Sequence, residues 1–223
     1  MAHKSLLLDI DGVLIRDKLL LEHVKENCCA YVQSKMPECK TPRETNRLLY
    51  LAYGHTGRGL HKTFGVDVSD FNSKVYTKRL LEHLGEVIYG TEFQQEAKDI
   101  HDLTKSDWKV TLFTNSPMEW AGPIARAIGD DVFVSCSASN VLDGPLKPEA
   151  LAFCNFPKHH THLYVDDSLK NLGAARWLPN WNPLHFSEDK KDHNMWCPQV
   201  SSIWDLCLYV NSVDQWIQDN HDI

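Results

Sequence analysis

Short apolar runs that stop abruptly at polar turns recur along the chain. Residues 6–10 are apolar except for Asp9 and stop at Asp11-Gly12, the pattern of a buried strand ending in a turn. Residues 109–113 stop at Thr114-Asn115-Ser116-Pro117, 132–135 follow, 162–165 stop at Asp166-Asp167-Ser168, and 184–186, just after Pro183, form a weaker fifth run. Helical periods over 92–104, 118–128, 148–155 and 169–177 alternate with these runs. Strands alternating with helices predict right-handed crossovers and an α/β fold, a doubly wound, Rossmann-like and mostly parallel sheet with helices on both faces.

Residues 16–89 break that alternation. Positions 19–36 are helical in period, and Thr41-Pro42-Arg43-Glu44 supplies an N-cap, a first-turn proline and a capping-box glutamate for a second helix through Tyr53. A glycine-punctuated segment covers 54–65, and 70–84 is helical again. The pattern predicts an all-helical cap, 16–89, inserted after the first strand into a core made of 1–15 and 90–223. The terminal stretch 203–217 reads as an amphipathic helix.

Composition narrows the class. The chain has 223 residues, 43% of them hydrophobic, enough for one globular unit with a sizeable core. Twenty-three Lys and Arg against 30 Asp and Glu give a formal net charge of -7, which argues against duplex nucleic acid as a partner. No apolar run approaches the roughly 18 residues of a membrane span. The first strand-like segment begins at Ser5, too early to leave room for a signal peptide. A cytoplasmic protein with no membrane partner is expected. Seven cysteines, odd in number and without a Cys-x-x-Cys pair, fit reduced packing thiols. His159, His160 and His162 crowd near Cys154, but without a second cysteine at ligand spacing they read as a solvated loop before a strand.

In open parallel sheets the working groups gather beyond the carboxyl ends of the strands. Those ends hold Asp9 and Asp11, Thr114 and Asn115, and Asp166 and Asp167. Each alone reads equally as a turn or a helix cap. Together, four carboxylates at one edge would repel, at about 4 kcal/mol for a pair about 4 Å apart at an effective dielectric near 20. A hard divalent cation relieves this. Carboxylate and carbonyl oxygens are what Mg²⁺ selects, and the shortage of His and Cys ligands argues against zinc or copper.

Asp9-Ile10-Asp11-Gly12-Val13-Leu14, Leu112-Phe113-Thr114-Asn115-Ser116, Lys147-Pro148 after Gly144-Pro145, and Tyr164-Val165-Asp166-Asp167-Ser168 with Asn171 beyond it resemble the four ordered motifs of the haloacid dehalogenase superfamily. The helical insertion resembles the cap such proteins carry between their first two motifs. The resemblance implies that Asp9 is a nucleophile forming an aspartyl-phosphate, and that Asp11 protonates the leaving oxygen and then activates water. Members that displace halide lack this second aspartate, so Asp11 points to phosphoryl transfer. The resemblance further implies that Thr114, Asn115 and Lys147 bind the phosphoryl group. Mg²⁺ would be held by Asp9, the Asp11 carbonyl and Asp167, with Asp166 acting through water and Ser168 and Asn171 in support.

A cap beside the first catalytic turn favours a small soluble phosphomonoester. Hinges are expected over 13–17 and 89–92. Tyr53-Gly54-His55-Thr56-Gly57-Arg58-Gly59-Leu60 and Phe64-Gly65-Val66-Asp67 resemble the matching segment of pyrimidine 5′-nucleotidase-like members, although Gly12-Val13 stands where those carry Asn-Thr. Nucleoside 5′-monophosphates are therefore the leading substrates. Arg58, His55 and His61 are candidate substrate contacts, but their pattern reads more readily as solvated cap residues. A phosphomutase acting on sugar phosphates, or a catalytically silent binding module, stays open on the sequence.

Overall fold

The structure, a computed structural model, describes residues 4–106, 108–136, 144–189 and 196–221. The outer ends of the expected core, 1–3 and 222–223, lie outside them, as do the side chains of Cys136 and 216–221. Six strands, β1 (Lys4–Leu8), β2 (Trp108–Thr114), β3 (Phe133–Cys136), β4 (Thr161–Asp166), β5 (Trp181–Phe186) and β6 (Gln199–Val200), form one parallel sheet in the order β3-β2-β1-β4-β5-β6. This is the doubly wound α/β architecture that the alternation predicts. β1 is central, with Leu8 level with Leu112 on one side and Val165 on the other.

Between β1 and the rest of the sheet the chain makes α1 (Lys18–Lys35), α2 (Pro42–Tyr53), α3 (Thr56–Phe64), α4 (Val68–Val75) and α5 (Lys78–Ile88). The pleat sends Leu6, Leu8, Val110, Leu112, Leu163 and Val165 to one face, where α6 (Thr91–Thr104), α7 (Met118–Ile128) and α10 (Ile203–His221) cover them. It sends Leu7, Phe113 and Tyr164 to the other face, under α8 (Ala150–Phe153) and α9 (Leu169–Ala175). Leu20, Val32, Leu60, Phe71, Leu80 and Leu84 of α1–α5 join the first of these cores, so the inserted helices have no separate hydrophobic centre.

The glycine-punctuated segment 54–65, to which the periodicity assigns no element, is largely helix, with Gly57 and Gly59 in close packing: a Cβ at Gly57 would meet Phe71 at 2.6 Å and one at Gly59 would meet Leu49 and Tyr53 at 2.9 Å. Several expectations are corrected. The single helix expected over 70–84 is two, broken where Thr77 caps α5 by accepting the Leu80 N–H at 3.3 Å. α2 begins at Pro42, but Thr41 makes no side-chain cap, and Glu44 pairs with Arg47 at 2.7 Å instead of closing a capping box. Pro183 lies inside β5, and His162 is a buried strand residue packed 4.7 Å from the Trp181 ring, not a solvated one. No helix of the described residues is long and apolar enough to cross a membrane.

Candidate active site

The site begins one residue beyond β1. Asp9 closes the ladder through its N–H to the Val165 carbonyl at 2.9 Å, which sets its side chain against the end of β4. The chain then turns sharply, with the Ile10 carbonyl accepting from Leu14 N and Ile15 N, each at 2.9 Å. Gly12 sits in this turn at φ 85°, and a Cβ there would stand 2.3 Å from Oδ2 of Asp167. Only glycine meets both demands. Asp11 points toward α7, its two oxygens accepting from Ser116 Oγ at 2.8 Å and Trp120 Nε1 at 2.9 Å. At the end of β2, Thr114 Oγ1 accepts the Ser116 N–H at 3.0 Å, which leaves the hydroxyl proton free to donate.

Asp166 and Asp167 are adjacent in sequence and differently employed. Asp166 is fully buried and saturated by protein donors: Lys147 Nζ at 2.7 Å, Ser168 N at 2.8 Å, Asn171 Nδ2 at 3.1 Å and the Tyr164 hydroxyl. Asp167 is exposed at the cavity. Lys147, only 1% exposed, also reaches Asp9 Oδ1 at 2.9 Å, so one cation bridges two carboxylates. Asn115 holds that lysine's backbone from both sides, accepting from Lys147 N and donating to Lys147 O, each at 2.9 Å. The same amide donates to Gly54 O at 3.1 Å, which ties the end of α2 to the sheet edge.

The electrostatics follow from too much negative charge in too little water. Burial raises Asp9 well above the usual carboxylate range against the pull of Lys147, with Asp166, Asp167 and Asp11 adding to the rise. Burial raises Asp11; Asp167, exposed toward the cavity, is raised by the partial desolvation there and then by Asp166. Burial opposes the Lys147 charge, yet Asp166 and Asp9 hold its pKa above the ordinary lysine range. Oxygens of Asp9, Asp166 and Asp167 lie within 4.8 Å of one another, the one group of metal-ligating side chains so placed among the described residues. An all-oxygen set with surplus negative charge fits a hard divalent cation.

Solved structures with this arrangement of strands and helices include a HAD phosphatase from Thermococcus onnurineus (16% identity, 93% of this chain and 97% of that one, TM-score 0.56). CbbY from Rhodobacter sphaeroides in complex with phosphate is similar at 14% identity over 91% and 95%, TM-score 0.58. YfnB from Bacillus subtilis bound to magnesium is similar at 16% identity over 95% and 100%, TM-score 0.52. The chain has the haloacid dehalogenase fold. No protein-family profile matches it, and no curated protein matches it in sequence.

In this haloacid dehalogenase fold, a cavity of about 1040 Å³ runs from the carboxylates to the inserted helices. Asp9, Asp11, Thr114, Asn115, Lys147 and Asp167 all line it. Arg58 does not: its guanidinium pairs with Glu149 at 2.6 Å, joining α3 to the turn after Lys147. His55 is buried and His61 Nδ1 contacts the Val66 carbonyl at 2.8 Å, so neither is the freely solvated side chain its polarity suggests. Sequence reasoning missed Tyr164, Ser116 and Trp120, which hold the aspartates. It missed Tyr50 as well, which lines the cavity from α2. Tyr164 was available as a signal, since position i−2 on a strand shares a face with Asp166.

Proposed function

We propose that the protein is a Mg²⁺-dependent phosphatase that hydrolyses small phosphomonoesters through an aspartyl-phosphate on Asp9, with nucleoside 5′-monophosphates as leading substrates. The observation that carries the reading is Asp9 itself. It is a buried carboxylate at the end of the central strand, 2.9 Å from a buried lysine, with Asp11 two residues on.

Asp9 attacks phosphorus, forming a P–O bond as the ester P–O bond breaks, and the departing alkoxide takes a proton from Asp11. Burial raises the Asp11 pKa, the direction that favours its protonated form. Water then attacks the aspartyl-phosphate and gives its proton to Asp11, releasing phosphate and restoring Asp9. Lys147 neutralises charge on the phosphoryl oxygens and fixes the direction of Asp9, while Thr114 donates its hydroxyl proton and Asn115 keeps Lys147 in position. Asp9, Asp167 and the Asp11 carbonyl would hold Mg²⁺, which supplies further charge neutralisation, and Asp166 organises the donors around it. The segment 16–89 serves as a lid that excludes water, turning at 13–17 and 89–92.

A phosphate-release screen over nucleotides and sugar phosphates, with and without EDTA, tests the reading. Release that EDTA abolishes is expected. Isomerisation without release would mark a mutase, and release indifferent to EDTA would remove the metal.

A further inference from the structure

Two polar side chains in the helical wall of the cavity are locked in one hydrogen-bonding orientation each. His55 caps α3: its Nδ1 accepts the Arg58 N–H at 3.4 Å, so the ring proton resides on Nε2. The residue is 7% exposed, packed edge-on to Phe71 at 5.4 Å, and burial followed by Arg58 lowers its pKa to about 4, so the ring is neutral. Its Nε2 has no hydrogen-bond partner among the described residues, and the ring forms part of the cavity wall. On α2, Asn46 Oδ1 accepts the Thr56 hydroxyl at 2.7 Å, which turns the amide so that its NH₂ is the free end. Asn46 also lines the cavity, and that NH₂ has no partner among the described residues.

Thr56 follows His55 directly, so the two donors share one stretch of wall. Gly54 precedes it and is tied to Asn115, which brings this wall close to Lys147 and the phosphoryl site. A phosphoryl group bound there would send its alcohol toward the helices. The rim of the same wall carries Lys25, Lys40, Arg43 and Arg47 together with Glu44, and Arg47 pairs with Glu44 while Arg43 and Lys25 pair with Glu22.

We propose that His55 Nε2–H and the Asn46 NH₂ form the head that reads the leaving group, selecting phosphomonoesters whose alcohol carries carbonyl-type oxygens, either a carboxylate or the carbonyl edge of a nucleobase. The inference deepens the phosphatase reading and rests on it. An amine edge would set N–H against N–H, so the ligand would pair neither the His55 donor nor that of the half-buried Asn46, and the acceptor-bearing ester is favoured.

The test measures kcat/KM with Mg²⁺ on matched pairs: uridine against cytidine 5′-monophosphate, and phosphoglycolate against phosphoethanolamine. The acceptor-bearing member should win by about tenfold or more in at least one pair, and the pair that responds identifies the source of the oxygens. Asn46→Asp, which keeps the acceptor for Thr56 and removes the donor, should shrink or reverse that ratio through KM. His55→Asn, which keeps a capping oxygen for Arg58 N–H but withdraws the ring N–H, should shrink it as well. Equal rates within both pairs, or variants with the wild-type ratio and wild-type melting, would overturn the inference while leaving the phosphatase standing. Should no ester turn over, the phosphatase reading falls, and calorimetric titration of the four compounds into Asp9→Asn still decides. Ranked binding supports the head; equal or absent binding removes it.

Discussion

Gly12 and Asp167 occupy nearly the same space: a methyl group on the first would lie 2.3 Å from a carboxylate oxygen of the second. Gly12 also holds φ at 85°, a conformation costing other L-residues about 1–2 kcal/mol. Gly12→Ala should therefore lower the melting temperature and displace Asp167. The Mg²⁺ concentration for half-maximal activity should rise about tenfold or more, as expected for a disturbed ligand set. An unchanged Mg²⁺ titration would detach Asp167 from the metal.

Lys147 lies between two buried acids, so removing it strands both. Lys147→Met should abolish turnover and cost about 3–5 kcal/mol in urea unfolding, the range for breaking a buried pair by removing one partner. Adding Asp166→Asn to that variant should recover part of the stability and none of the activity. Additive losses would mean that the lysine and Asp166 are not coupled.

Most of the sheet and the edge that carries the candidate site could be read from residue order, because a buried strand ending in a turn is a local signal. Asp9, Asp11, Thr114 and Asp166 stand at strand ends as their spacing predicts. α3 could not be read so, since the glycines that suggest a loop are spaces for Phe71, Leu49 and Tyr53, partners named only by the fold. β6 has two residues and carries no period to detect. The division of labour between Asp166 and Asp167 depends on Tyr164, Asn171 and Lys147 converging on one carboxylate, which no local pattern encodes.

Asn115 makes three hydrogen bonds to the backbones of Lys147 and Gly54, and its loss should act on activity more than on stability. Asn115→Ala removes two hydrogen bonds to Lys147 and one to Gly54. Unfolding should cost about 1–3 kcal/mol. kcat should fall further than KM rises, because the lysine loses its fixed direction. A change confined to KM would make Asn115 a substrate contact alone.

His55 should govern part of the acid sensitivity. Its folded pKa of about 4 lies below the ordinary 6.5, so between these values the unfolded chain binds the extra proton and stability rises with pH. The contribution is fully present above 6.5 and is lost as pH falls toward 4, at most about 3 kcal/mol. Urea midpoints of the wild type should fall more steeply from pH 7 to 4 than those of His55→Asn. Parallel curves would contradict a buried neutral ring.

The central claim is that Asp9 carries the phosphoryl group. Rapid acid quenching of the enzyme with a ³²P-labelled phosphomonoester and Mg²⁺, followed by peptide mapping, reads this directly. The account predicts hydroxylamine-labile label on Asp9, absent with EDTA and absent in Asp9→Asn. Label on another residue, or full turnover by Asp9→Asn, would contradict it.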